Sequence, residues 1–253
     1  MKKRIDVILT ERGLFESRSK AVMAINAGVV QVFGKTVTKP SEKFLEDAEI
    51  KIVGETLKYV SRGGLKLEGA INKFGLQFAG KTVLDMGSST GGFTDCALQN
   101  GANKVIAVDV GTNQLAESLR KDNRVELYEN TDVKNLPQAI FDEAQIIVAD
   151  ISFVSIVKII ASIINSVHNQ ELMLLIKPQF ECGLDIAKKY KGVIKSEELS
   201  QKIANETIQK LEQLGLTLQG FAPSPITGGD GNHEYITLFK RKWVDDKSAI
   251  TYI

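Results

Sequence analysis

Four charged residues stand where a protein interior tolerates charge only for a purpose. Asp150 follows the apolar run Ile146–Ala149, Lys177 follows Leu172–Ile176, and Glu234 opens Glu234–Phe239. A charge beside a buried strand is costly unless it is paired or has a task. Lys66 sits on a helical stretch from Leu65 to Phe74 whose buried side is Leu67, Ala70, Ile71 and Phe74, and it lies off that stripe. The four make a candidate Lys-Asp-Lys-Glu constellation for proton transfer, which only a fold can bring together. A second set surrounds Asp85-Met-Gly87-Ser88-Ser89-Thr-Gly91-Gly92-Phe93. Here a β-branched strand stops at an acid, a glycine turn follows, and Phe93 to Gln99 reads as a helix. The loop suits a nucleotide-like ligand because its backbone can approach closely and the helix start offers free N–H groups.

The ligand follows from the charges. A dinucleotide fingerprint runs G-x-G-x-x-G, whereas this loop runs G-x-x-x-G-G behind the Asp85 carboxylate, which repels a pyrophosphate. Asp109 closes the next strand, where a carboxylate accepts both hydroxyls of a ribose. Asp132 follows the third strand, in place to meet the exocyclic amine of an adenine. An acid at the loop, an acid on the ribose and an acid near the base fit S-adenosylmethionine, which carries a sulfonium and an amino group but no phosphate.

The elements that must position these residues alternate. Strands are expected at Val83–Leu84, Val105–Val108, Val125–Tyr128, Ile146–Ala149, Leu172–Ile176, Leu216–Phe221 and Glu234–Phe239, with helices between them. That is a doubly wound α/β sheet of seven strands with an antiparallel last pair. Ligands in such sheets bind at the carboxyl ends of the strands. Ahead of it lies a smaller α+β module. Ile5, Ile8 and Leu9 mark a first helix, Ser17 caps a second running to Gly28, and strands are expected at Val29–Val32, Lys35–Val37 and Glu49–Val53. The expected organisation is residues 1–60 as this module, 61–64 as a linker whose Gly63 and Gly64 allow flexing, 65–245 as the large domain and 246–253 as a tail.

Charge is unevenly placed. The 253 residues carry a net charge of +1, but residues 1–40 hold eight Lys or Arg against three Asp or Glu. A basic module on a near-neutral body points to a nucleic acid partner. Cys96 and Cys182 cannot build a disulfide framework, and two histidines without ligand spacing leave no structural metal expected. No apolar run reaches the roughly 18 residues of a membrane span and the amino terminus lacks an apolar signal core, so a cytoplasmic protein is expected.

Leu14-Phe-Glu-Ser-Arg18-Ser19-Lys20-Ala, followed by the Gly28-Val-Val-Gln-Val turn into a strand, resembles the RNA-binding fold of ribosomal protein S4. Together with Ser-Arg62-Gly-Gly-Leu-Lys66-Leu, the Asp85 loop, Ala-Asp150-Ile-Ser-Phe, Leu-Ile-Lys177-Pro-Gln-Phe-Glu and Gly-Asn-His-Glu234-Tyr, the sequence from Lys3 to about Lys242 is similar to the TlyA family, which is often labelled haemolysin. The resemblance implies an S4-type domain joined to an FtsJ-like methyltransferase domain. It further implies transfer of a methyl group from S-adenosylmethionine to a ribose 2'-hydroxyl of ribosomal RNA, at a cytidine. Arg4, Arg18, Ser19, Lys20, Lys35 and Arg62 would then face RNA. A ribose hydroxyl needs a base to take its proton, and a lysine becomes one only when burial or a second ammonium lowers its ordinary pKa of about 10.4. Lys177 is the expected base and Lys66 the second ammonium, with Asp150 and Glu234 orienting them.

Two rivals follow from other features. A membrane-active haemolysin would use Val154–Val167, but fourteen residues including Lys158 fit a helix covering the sheet better. An RNA-binding protein without catalysis would keep the scaffold and not need Lys177. His233 is expected to be structural, Cys182 to be an inert thiol, and Trp243 to close the domain or stack on a base.

Overall fold

The computed structural model describes residues 2–15, 17–53 and 58–241, apart from the side chains of Ser19, Asn26 and Leu184. Trp243, the expected domain end at 245 and the expected tail lie outside the described residues, as does the Ser19 side chain.

The amino-terminal module begins with β1 (Lys2–Arg4) and α1 (Ile5–Glu11). Ser17 caps α2 (Arg18–Asn26) by accepting the Lys20 N–H, as expected from its hydroxyl. Four short strands follow, β2 (Val30–Val32), β3 (Lys35–Thr36), β4 (Lys43–Leu45) and β5 (Ile50–Ile52). They form two antiparallel sheets, β1 with β4 and the order β3-β2-β5. The sequence reading lacks β1 and β4, because three-residue strands made of Lys2-Lys-Arg4 and Lys43-Phe-Leu45 show no apolar alternation. Ile5, Leu9, Ile25, Val30 and Val32 close the core of this module.

The large domain runs α3 (Gly63–Phe74), β6 (Thr82–Met86), α4 (Gly92–Gln99), β7 (Lys104–Val108), α5 (Glu117–Arg120), β8 (Val125–Tyr128), α6 (Gln138–Glu143), β9 (Ile146–Ala149), α7 (Ile156–Ile163), β10 (Glu171–Ile176), α8 (Pro178–Glu181), α9 (Gly183–Lys189), α10 (Glu197–Gln213), β11 (Leu216–Pro223) and β12 (Tyr235–Arg241). All seven expected strands are present, in the order β11-β12-β10-β9-β6-β7-β8. β6 to β10 are parallel, and β12 is antiparallel to both β10 and β11. The central strands are mostly apolar because helices cover both faces, with Asp85 of β6 as a buried exception; every residue of β9 is buried. From β6 the chain builds outward through β7 and β8, then returns to place β9 and β10 on the other side of β6. That reversal opens a crevice at the carboxyl ends of β6 and β9.

Two further expectations meet the structure. Val154–Val167 does cover the sheet: α7 buries Ile156, Ile160 and Ile163 in the core before a short turn of tighter helix. Gly63 and Gly64, expected to flex, instead form the first turn of α3. Gly64 lies against the Tyr59 ring, and Gly92 of the glycine loop lies against Ser61 and Gly64, so that a Cβ on Gly64 or Gly92 would collide. These glycines serve close packing of chain on chain rather than hinge motion.

Candidate active site

The four charged residues meet. Glu234 Oε2 lies 2.6 Å from Lys66 Nζ, Lys66 Nζ lies 3.3 Å from Asp150 Oδ2, and Asp150 Oδ1 lies 2.6 Å from Lys177 Nζ. Lys177 also donates to Ser152 Oγ at 2.7 Å. The result is a linear chain, Glu234–Lys66–Asp150–Lys177–Ser152, in which Asp150 bridges both ammonium groups. All four side chains are at least four-fifths buried. Two cations facing two anions leave no net charge, which is the condition under which burial of such groups is tolerable.

Each member is placed by a different element. Lys66 ends the first turn of α3 and, though expected off the buried stripe, is buried beside Leu67 and Ala70. Asp150 leaves β9 with its N–H bonded to the Met86 carbonyl of β6, at the crevice. Lys177 ends β10, and Pro178 immediately starts α8, turning the chain out of the sheet at the lysine. Glu234 precedes β12, whose antiparallel direction brings its first residue to the carboxyl ends of its parallel neighbours. Glu234 also needs space: a Cβ on Gly228 would stand 2.6 Å from its Oε1. Buried Asn232 pins this loop, accepting the Ile194 N–H at 2.8 Å and donating to the Gly192 carbonyl at 3.1 Å.

This chain forms one wall of a cavity of about 420 Å³. Gly87, Ser88, Ser89, Gly92 and Phe93 of the glycine loop form another, and Arg62 lies at its rim. Gly91, Asp85, Asp109 and Asp132 are not on the wall. Asp109 supports it from behind, accepting the Ser89 N–H at 2.8 Å and the Gly111 N–H at 2.7 Å. Asp85 lies fully buried under the loop and accepts the Thr94 hydroxyl at 2.6 Å, while its other oxygen has no partner among the described residues. Burial, with the negative charges of Asp150 and Asp109 added, pushes the Asp85 carboxyl up to about 7. Asp132 caps the turn after β8, accepting the Lys134 N–H at 3.1 Å and pairing with Lys134 Nζ at 2.8 Å, which holds its carboxyl below the usual range.

Several site residues were not singled out from sequence. Ser152 and Asn232 are polar residues of common loop types, and their tasks appear only with their tertiary neighbours. Phe153 and Phe180 carry a signal in the sequence, since each stands within three residues of a candidate charge. Phe153 is 91% exposed with φ +67°, and its ring centroid is 5.4 Å from that of Phe180. Glu181, in the same motif as Lys177, is structural; it accepts the Ser155 hydroxyl and the Ile156 N–H at the start of α7. Cys182 is half-buried and burial raises its thiol pKa, which opposes nucleophilic use.

In the amino-terminal module, Arg4 and Arg18 converge on buried Asp6. Arg4 binds both its oxygens at 3.0 Å and Arg18 lies 2.8 Å from one of them. Burial pushes the Asp6 carboxyl up, but hydrogen bonds from the two arginines outweigh it and hold the carboxyl below its usual range. Both guanidinium groups stay about half exposed. Lys20 and Lys35 are exposed as well.

A seven-stranded sheet with a glycine loop and a charged chain at its switch point, preceded by a small basic module, defines a methyltransferase of the FtsJ-like class with an S4 domain. The FtsJ-like methyltransferase family matches residues 59–241, and the S4 domain matches residues 3–50. Hemolysin A of Brachyspira hyodysenteriae is 43% identical over 240 residues, 93% of this chain and 99% of that protein. The 16S/23S rRNA (cytidine-2'-O)-methyltransferase TlyA of Mycobacterium tuberculosis is 37% identical over 235 residues, 92% of this chain and 87% of that one. The solved structure of a Streptococcus thermophilus protein that carries a hemolysin label superposes with a TM-score of 0.72 at 37% identity, covering 95% of this chain and 89% of that one. The chain belongs to the TlyA family of FtsJ-like methyltransferases.

Proposed function

We propose that this protein transfers a methyl group from S-adenosylmethionine to the 2'-hydroxyl of a cytidine ribose in ribosomal RNA. The observation that carries this is the linear chain Glu234–Lys66–Asp150–Lys177 on the wall of the glycine-loop cavity. The cofactor fits the donor set: the acids Asp85 and Asp109 lie under and behind the loop, and the buried Asp85 oxygen and Ser88 hydroxyl lack partners among the described residues. When bound, S-adenosylmethionine supplies an electrophilic methyl on a positively charged sulfur. Gly87 to Phe93 would hold it, with Asp109 toward the ribose and Asp132 toward the adenine edge.

Lys177, once it has released its own proton to solvent and is a neutral amine, would take the proton of the ribose hydroxyl as that oxygen attacks, and the bound cofactor would supply the methyl group. Asp150 and Ser152 fix the Lys177 Nζ from two directions, leaving its third toward the cavity. Lys66, held by Glu234 on the far side of Asp150, keeps the bridging carboxylate in place. Phe153 and Phe180 at the mouth present an aromatic face to a base drawn out of its stack. Arg4, Arg18, Lys20 and Lys35, with Arg62 at the rim, contact the RNA backbone and position it without reading sequence. Asp6 sets the direction of Arg4 and Arg18.

No helix of the described residues is long and apolar enough to cross a membrane, and the apolar segment that a haemolysin would use is part of the domain core. The test incubates the protein and Lys177→Ala with methyl-labelled S-adenosylmethionine and unmodified ribosomal subunits, then maps the label. Label on a cytidine ribose that vanishes in the variant is the expected result. Label on a base, or undiminished label in the variant, would overturn the proposal.

A further inference from the structure

Among the described residues, six non-glycine residues have positive φ, and two of these are phenylalanines, Phe153 and Phe33. Phe153 belongs to the catalytic mouth; Phe33 belongs to the S4 domain and has no assigned role. β2 and β3 are joined by Phe33 and Gly34 alone, with Val32 opposite Lys35. Their φ values are 50° and 72°. Positive φ at both central positions is the I′ hairpin turn, whose first position suits Asn, Asp or Gly because a larger side chain crowds the backbone there.

A phenylalanine is therefore the wrong residue for this bend on folding grounds, and burial does not compensate. Phe33 is 63% exposed and takes no part in the module's apolar core. Its place is nonetheless fixed, since its N–H donates to the Glu49 carbonyl at 3.0 Å and ties the tip to β5. Beside it, Lys35 and Thr36 are both exposed. An exposed aromatic ring on a backbone tied in place, next to an exposed cation and against the preference of its own turn, points to a role outside the fold.

We propose that Phe33 is a base-stacking contact of the S4 domain, receiving an unpaired nucleobase of the RNA while Lys35 meets the adjoining phosphate. This rests on the RNA-methylating function proposed above. Stacking suits an RNA partner because loops and bulges offer unstacked bases, and every base has a face to offer whatever its identity. The contact adds affinity that does not depend on charge, complementing the arginines around Asp6.

The two kinds of contact separate by salt dependence. Binding of the full chain to purified, unmodified ribosomal subunits is measured across a salt series for wild type, Phe33→Asn, Phe33→Trp and Lys35→Ala, with a thermal melt of each. Phe33→Asn should weaken binding about five- to hundredfold, leave the slope against log salt unchanged, and melt no lower than wild type because asparagine suits the turn. Phe33→Trp should restore binding, and Lys35→Ala should flatten the slope. Wild-type affinity in Phe33→Asn would overturn the proposal, as would a loss accompanied by a lower melting midpoint. Absence of subunit binding by the wild type would overturn the proposed function itself, which distinguishes the two failures.

Discussion

The two ends of the catalytic cavity hold their charges in opposite ways. At one end, four ionised side chains from four separate elements neutralise one another in a buried chain. At the other, Asp109 and Asp85 are met by backbone N–H groups and a hydroxyl and by no cation among the described residues, and burial holds a proton on Asp85 up to about pH 7. The first arrangement sets the direction of a proton transfer before any substrate arrives, in the manner of a preorganised site. The second keeps a negative field for a ligand that brings its own positive charge. Damage at the first end therefore reaches chemistry and folding together, whereas damage at the second reaches mainly ligand affinity.

That contrast breaks most sharply at Lys177. Lys177→Ala should lower single-turnover methyl transfer by about 10²- to 10⁴-fold while S-adenosylhomocysteine binding, followed by calorimetry, changes less than about twofold; a comparable loss of both would merge the two ends into one. Next in size, Lys66→Met leaves the Glu234 carboxylate buried without its cation, at a cost of about 3–5 kcal/mol in urea unfolding. Adding Glu234→Gln should recover much of that loss, and no recovery would mean that the pair matters for packing rather than charge.

Asp85 tests the other end through pH. Its carboxyl is pushed up to about 7 in the folded chain, chiefly by burial, against about 3.9 in an unfolded one. The folded state thus holds a proton that the unfolded state releases, so this group's contribution is complete below about pH 4 and is lost as pH rises through about 7. Wild type should lose stability relative to Asp85→Asn between pH 5 and pH 8, by on the order of a few kcal/mol. Parallel curves would show that Asp85 does not titrate there. The smallest effect is expected at Asp109, where Asp109→Asn should weaken cofactor binding about tenfold and lower turnover at saturating cofactor by less; the reverse ranking would place Asp109 in the chemistry.

Much of this architecture was legible because it is local. All seven strands of the large sheet read as short apolar or alternating runs bounded by loop residues, and Ser17 announced a helix start. Asp150, Lys177 and Glu234 stood out because charge at the end of an apolar strand is anomalous in one dimension. Ser152 did not, since a hydroxyl in a loop becomes a partner of Lys177 only when β9 and β10 lie side by side. Gly63 and Gly64 misled for a related reason: consecutive glycines suit a flexible joint or a crowded contact, and only the Tyr59 ring and Gly92 decide between them. β1 was hidden because its stability comes from pairing with β4, forty residues away, rather than from its own side chains.

The antiparallel course of β12 has a consequence for timing. The S4 domain, the glycine loop, Lys66, Asp150 and Lys177 are all synthesised before the chain reaches Glu234. At synthesis rates of about 5–20 residues per second, roughly 7–30 s separate the glycine loop from that carboxylate. A chain still being made can fold its parallel strands but lacks the residue that anchors Lys66. Until Glu234 is added, the charged chain of the site therefore lacks its terminal carboxylate.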